Sequence, residues 1–176
     1  MKKVGVILGS DSDMPKVSGC FDILEEFGIE FETIISSAHR TPDETVKWAS
    51  TAEERGLGAI IAVAGGAAHL PGVVASHTIV PVIGVPVRTD IAGGLDSILS
   101  IIQMPSGVPV GAMPAGKSGG TNAALFAIEI LAVQDRALSE KLRAFRKKLS
   151  EEIDRKNEML LEKGFRNYIA HLEEKK

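Results

Sequence analysis

Three short apolar runs constrain this chain more than any other feature. They are Val4–Leu8, Ala59–Ala64 and Val80–Val87. None alternates between apolar and polar residues, as a strand with one wet face would. A run of this length and kind suits a strand covered on both faces, the usual condition of a parallel sheet. Helical patterns fill the intervals. Asp13–Phe27 places Val17, Cys20, Phe21 and Leu24 on one face, with Gly28 as a stop. Glu30–Ser36 is a strand. Thr41–Arg55 is a helix with Thr41 as N-cap, Pro42 at its first position and Glu44 completing a capping box. Leu95–Gln103 is helical and Val108–Met113 is a fifth strand. Gly120–Leu131 opens a long helix that continues, with a break near Gln134, to Lys163, and Gly164 ends it. The alternation predicts an α/β fold of three layers, a parallel sheet between two layers of helices. It divides into one domain over residues 1–133 and a charged helical extension over 134–176.

Composition narrows the function classes. The chain has 176 residues, enough for one domain with a core that needs no staples. A net charge of −3 argues against nucleic acid or an anionic membrane as the main partner. A single cysteine, Cys20, excludes an internal disulfide. No HExxH-like spacing is present, so no metal is predicted. The opening apolar run is too short for a signal peptide, and nothing matches a membrane span of about 18 apolar residues. The expected location is the cytoplasm. Only Arg88, Asp90 and Asp96 are charged between residues 56 and 116, so much of that surface is expected to be buried between copies of the chain. The tail carries a stripe of Leu142, Phe145, Leu149 and Ile153, a packing face.

In sheets of this kind ligands bind beyond the carboxyl ends of the strands. The loop after the first strand, Gly9-Ser10-Asp11-Ser12-Asp13, offers free N–H groups and hydroxyls for a phosphate, and Asp13 can accept from sugar hydroxyls. Equally, Ser12 or Asp13 could simply cap a helix. It is neither GxGxxG nor a P-loop, so no dinucleotide or triphosphate is implied. The loop after the second strand, Ser36–Arg40, carries Arg40, which can fork onto a phosphate or carboxylate, and His39, which can exchange a proton near neutral pH. After the third strand, Ala64–Gly72 pairs two glycines with small apolar residues, a wall that can admit a flat ligand and exclude water. His69 in it is either a functional group or a packing residue. The last loop, Ala115–Asn122, contains Gly-Lys-Ser without the rest of a P-loop. It suits an anion or a subunit contact and not ATP.

Taken together, GSDSD, SAHRTPD, AGGAAHLPG, PVIGVPV and DSILSIIQMPSGVPVG resemble the 5-(carboxyamino)imidazole ribonucleotide mutase family of bacterial purine synthesis, over about residues 4–133. The resemblance implies a flavodoxin-like fold and a homo-octamer with sites at subunit junctions. It implies an isomerase that moves a carboxylate from the exocyclic nitrogen to ring carbon 4 of an aminoimidazole ribonucleotide, without metal, biotin or ATP. Carried onto this sequence, Ser10 and Arg40 hold the phosphate end and Asp13 the ribose, with Ser12 and Ser37 assisting. His39 is the proton carrier. Gly65, Gly66, Ala67, His69 and Leu70 line the pocket for base and carboxylate. Two alternatives stand beside this reading: a related carboxylase that uses free carbon dioxide, and a flavodoxin-like phosphate-binding module with no enzymatic role.

Overall fold

The computed structural model describes residues 2–174, so the last two residues of the expected extension lie outside the described residues. Among the described residues, five parallel strands form one sheet: β1 (Lys3–Leu8), β2 (Phe31–Ile35), β3 (Leu57–Ala64), β4 (Val82–Pro86) and β5 (Gly111–Ala112), in the order β2-β1-β3-β4-β5. Val4 pairs with Phe31 on one side and with Ala59 on the other, which makes β1 and β3 the centre of the sheet. Their residues Val4, Val6, Ile7, Leu8, Ile60, Ile61 and Val63 have no exposed surface, as the unbroken apolar runs predict. The edge strand β2 is partly exposed throughout.

Helices cover both faces. On one face α1 (Gly19–Phe27) packs against α5 (Lys117–Ala132), whose inner side is small: Gly119, Gly120, Ala123, Ala124 and Ala127. The approach is tight enough that a Cβ on Gly120 would stand 2.7 Å from the Val17 carbonyl oxygen. On the other face α2 (Pro42–Ser50), α3 (Leu70–Ala75) and α4 (Leu95–Ile102) build a core of Ile7, Ala49, Leu57, Leu70, Val74 and Ile101. Trp48 packs against it from α2. The long helix α6 (Arg136–Glu173) lies in a second compact unit that begins at Arg136, the first unit ending at Asp135. No helix among the described residues is long and apolar enough to cross a membrane.

Several boundaries differ from the sequence reading. The expected helix over Asp13–Phe27 is two 3-10 turns, Asp11–Asp13 and Pro15–Val17, followed by α1 from Gly19. Pro15 has no N–H to give to a regular helix, and short turns accommodate it. The capping box at Thr41 does not form, because the Thr41 hydroxyl turns back to the preceding loop, and α2 ends at Ser50 rather than Arg55. Helix α3 has six residues, too few to display a period. Strand β5 shrinks to two residues at the sheet edge, between Pro109 and Pro114, neither of which can donate to a ladder. Helix α5 begins at Lys117, three residues early. In α6, Gly164 interrupts the helix (φ 69°, ψ 156°), and helical structure resumes beyond it.

Candidate active site

The strand order reverses between β1 and β3, and a cleft of about 470 Å³ opens there at the carboxyl ends of the strands. A larger depression of about 640 Å³ lies at the other ends of the strands, lined by such residues as Leu57, Ile79, Leu131 and Val133. It gathers no residue of the predicted site. The switch-point cleft gathers most of them.

Loop one supplies the hydroxyls. The Gly9 N–H donates to the Val63 carbonyl (3.0 Å), which extends β1 to the cleft edge. Ser10 then caps the first 3-10 turn, its Oγ accepting from the Ser12 N–H at 3.4 Å and sharing a hydrogen with Ser12 Oγ at 2.9 Å. Asp13 is buried and paired with Lys16 at 3.1 Å. Loop two is stiffened by a knot of hydroxyls. Ser36 Oγ bonds Thr41 Oγ1 (3.0 Å) and Thr45 Oγ1 (2.8 Å), and Thr41 Oγ1 accepts from the Ser37 N–H (3.0 Å). The knot presents His39 and Arg40 at the end of β2. Arg40 Nη2 donates to the Gly9 carbonyl at 3.1 Å, tying loop two to loop one.

Loop three brings its histidine across to loop two. His39 Nε2 and His69 Nδ1 stand 2.7 Å apart, with the rings edge to face at 78°. In such a bond one nitrogen carries the hydrogen and the other accepts it. Ala68 and Leu70 are buried beside the pair. Helix α4 reaches loop three from behind: the Gly66 N–H donates to Ser97 Oγ (2.9 Å). Asp96 accepts from the Thr89 hydroxyl, which holds its carboxyl below the ordinary value.

Of the predicted residues, Ser10, Asp13, Ser37, His39, Arg40, Gly65, His69 and Leu70 line the cleft; Ser12, Gly66 and Ala67 lie just outside the lining. Sequence reasoning passed over the His39–His69 pair, whose members are 30 residues apart, and the lining residues Lys16, Arg88 and Thr89. Lys16 follows Asp13 by three residues, and Arg88 and Thr89 follow β4, a strand end that the switch-point rule also covers. Lys16 and Arg88 also line a neighbouring depression at Gly116–Ser118, within the last loop singled out in the sequence. In the chain by itself the cleft is open: His39, Arg40, Gly65, Ala67 and His69 are exposed, so the wall that was expected to exclude water does not enclose a cavity within one copy.

Known proteins decide the kinship. Residues 3–152 match the sequence model of the family described as AIR carboxylase. The chain belongs to that family. It is 48% identical to the N5-carboxyaminoimidazole ribonucleotide mutase of Pyrococcus horikoshii, over 95% of this chain and 93% of the relative. With the enzyme of the same name from Thermotoga maritima it shares 47% identity, over 98% of this chain and 100% of the relative. The crystal structure of Treponema denticola PurE superposes with a TM-score of 0.81 at 28% identity, covering 91% of this chain and 99% of that one. The AIR carboxylase fold, a flavodoxin-like parallel sheet, is thus the scaffold on which the cleft is built.

Proposed function

We propose that this protein is an isomerase of purine biosynthesis that converts 5-(carboxyamino)imidazole ribonucleotide to 4-carboxy-5-aminoimidazole ribonucleotide. The observation that carries the reading is the His39–His69 pair, set beside Arg40 and the Gly65 wall at the switch point. The relatives' names supply the substrate.

The chemistry needs a proton moved and a gas retained. Protonation of the exocyclic nitrogen breaks its bond to the carboxylate carbon, giving the amine and carbon dioxide. Ring carbon 4 then attacks the carbon dioxide, and loss of its own proton restores the aromatic ring. The net result is one proton moved from carbon to nitrogen and one carboxylate moved the other way. His39 gives the first proton and accepts the second. His69 orients the His39 ring through the 2.7 Å bond. Ser10 and Arg40 hold the phosphate and Asp13 the ribose, with Ser12 and Ser37 assisting. Gly65, Gly66, Ala67, His69 and Leu70 form the wall around base and carboxylate. Retaining carbon dioxide beside the ring gives it a high effective concentration. One copy leaves the cleft open, so closure is assigned to neighbouring copies in a homo-octamer, with the charged tail beyond residue 134 packing on that assembly. The reaction belongs in the cytoplasm with its nucleotide substrate.

A spectroscopic assay with the carbamate ribonucleotide and no ATP tests the reading, and formation of the carboxylated product is expected. Product formed only from the amine with bicarbonate would instead mark a direct carboxylase. Binding of the ribonucleotide with no reaction from either substrate would leave a phosphate-binding module.

A further inference from the structure

Helix α4 contributes nothing to the cleft lining, yet it grips the wall from behind. Its first two turns reach both polar groups of Gly66: the N–H donates to Ser97 Oγ (2.9 Å), and the Ser100 hydroxyl, which donates to the Asp96 carbonyl at 2.8 Å, shares its hydrogen with the Gly66 carbonyl at 3.3 Å. Ser97 is fully buried, and its hydroxyl hydrogen faces Asp96 Oδ1 at 3.5 Å. The Asp96 carboxylate in turn accepts from the hydroxyl of Thr89, a lining residue. Gly66 has little else to hold it. Its φ of 67° suits glycine, and nothing stands within 4 Å of where a Cβ would be. Without Ser97 the Gly65–Gly66 peptide could rotate, and its N–H would then be free to draw water to the reacting centre.

We propose that Ser97 and Ser100 are positioning residues for the carboxylate transfer: they hold the two peptides that meet at Gly66 against α4, turn their polar groups away from the cleft, and so fix the Gly65–Ala67 segment as this copy's side of the chamber that retains carbon dioxide once neighbouring copies close it. The inference rests on the function proposed above. It concerns the interval between carbon–nitrogen cleavage and carbon–carbon formation, when the gas is bound to nothing. A loose wall lets it diffuse away, leaving the free amine.

The test is full-length Ser97→Ala supplied with the carbamate ribonucleotide. Three quantities are read: kcat, KM, and the fraction of turnovers released as free aminoimidazole ribonucleotide and carbon dioxide above the spontaneous background. The expected result is a kcat lower by about 10-fold or more, a KM within about two-fold, and a released fraction raised several-fold, since small displacements at a reacting centre cost rate more than affinity. Ser100→Ala, at a partly exposed site, should show the same pattern more weakly, and it serves if Ser97→Ala does not fold. Hydrogen exchange at the Gly66 amide should quicken about 10-fold in Ser97→Ala, and in Ser100→Ala exchange should quicken at the Ala67 amide, which shares a peptide with the Gly66 carbonyl. A fall in kcat with an unchanged released fraction would reduce the serines to structural roles and overturn the proposal. So would unaltered exchange at Gly66. Wild-type protein that makes no carboxylated product would overturn the functional reading along with the clamp's role, whereas transfer with an unchanged leak overturns the clamp's role alone.

Discussion

His39 and Arg40 are neighbours in sequence with different duties, and substitutions should separate them. His39→Asn keeps the size and polarity of the site but removes the group that can both donate and accept. Turnover is expected to fall by about 10²-fold or more while nucleotide binding persists. Turnover near wild type in a stopped-flow assay would reject the proton-carrier role. Arg40 reaches across to the Gly9 carbonyl with one nitrogen, leaving other donors for an anion. Arg40→Ala removes a charge-assisted contact worth about 1.5–3 kcal/mol. Calorimetry should therefore find the ribonucleotide bound roughly 10- to 100-fold more weakly, and unchanged binding would exclude the phosphate contact. The sequence marked both residues because they sit at a strand end before a helix. It could not mark the partnership with His69, since only folding brings positions 30 apart to 2.7 Å.

Strand β1 and helix α2 meet where Gly5 makes room for Trp48. A Cβ at Gly5 would lie 2.8 Å from Trp48 Cη2 and 2.7 Å from Leu57 Cδ1. The leucine end can swing away, but the indole, with the Arg55 guanidinium 5.0 Å from its ring centre, has less freedom. Gly5→Ala is therefore expected to destabilise the fold by about 1–3 kcal/mol through overpacking, measured by chemical denaturation. Stability equal to wild type would mean that α2 shifts without cost. The same helix illustrates a limit of local signals. Thr41, Pro42 and Glu44 spell a capping box, yet the Thr41 hydroxyl serves the Ser36–Ser37 loop instead. A side chain with two candidate partners goes to the one that the surrounding packing presents, and the chain alone does not state which that is.

The folded chain buries Cys20 and leaves an apolar face of α4 in the open, and each has a consequence for the whole protein. Burial pushes the Cys20 thiol up to about 12 from 9.0. It should stay protonated and resist alkylation at about pH 8 until the protein is unfolded. The sign for stability follows: below 9.0 both states hold this proton, and between 9.0 and about 12 the unfolded chain releases it while the folded chain keeps it, so stability declines as pH rises through that window. Rapid labelling of the native protein would contradict the burial. On α4, Leu95, Leu99 and Ile102 are exposed at helical spacing with Ile91 nearby. The octamer proposed above would cover this face, so sedimentation of the wild type is expected to give an octamer and Leu99→Glu a smaller species, since a buried charge costs binding. A monomeric wild type would remove the proposed closure of the cleft.

The apolar runs, the helical periods and the loop motifs already state the layers, the strand sequence along the chain and most of the cleft-lining residues. These are local matters: a buried strand must be apolar, and a loop at a strand end must carry the chemistry. The spatial order of strands, the bond between two distant imidazoles and the serines of α4 behind Gly66 depend on which segments fold together. Such pairings arise from contacts between residues far apart in the chain, where no period or spacing leaves a trace. That is why Ser97, an ordinary serine in an ordinary helix, becomes conspicuous only once its hydroxyl is found under the wall of the cleft.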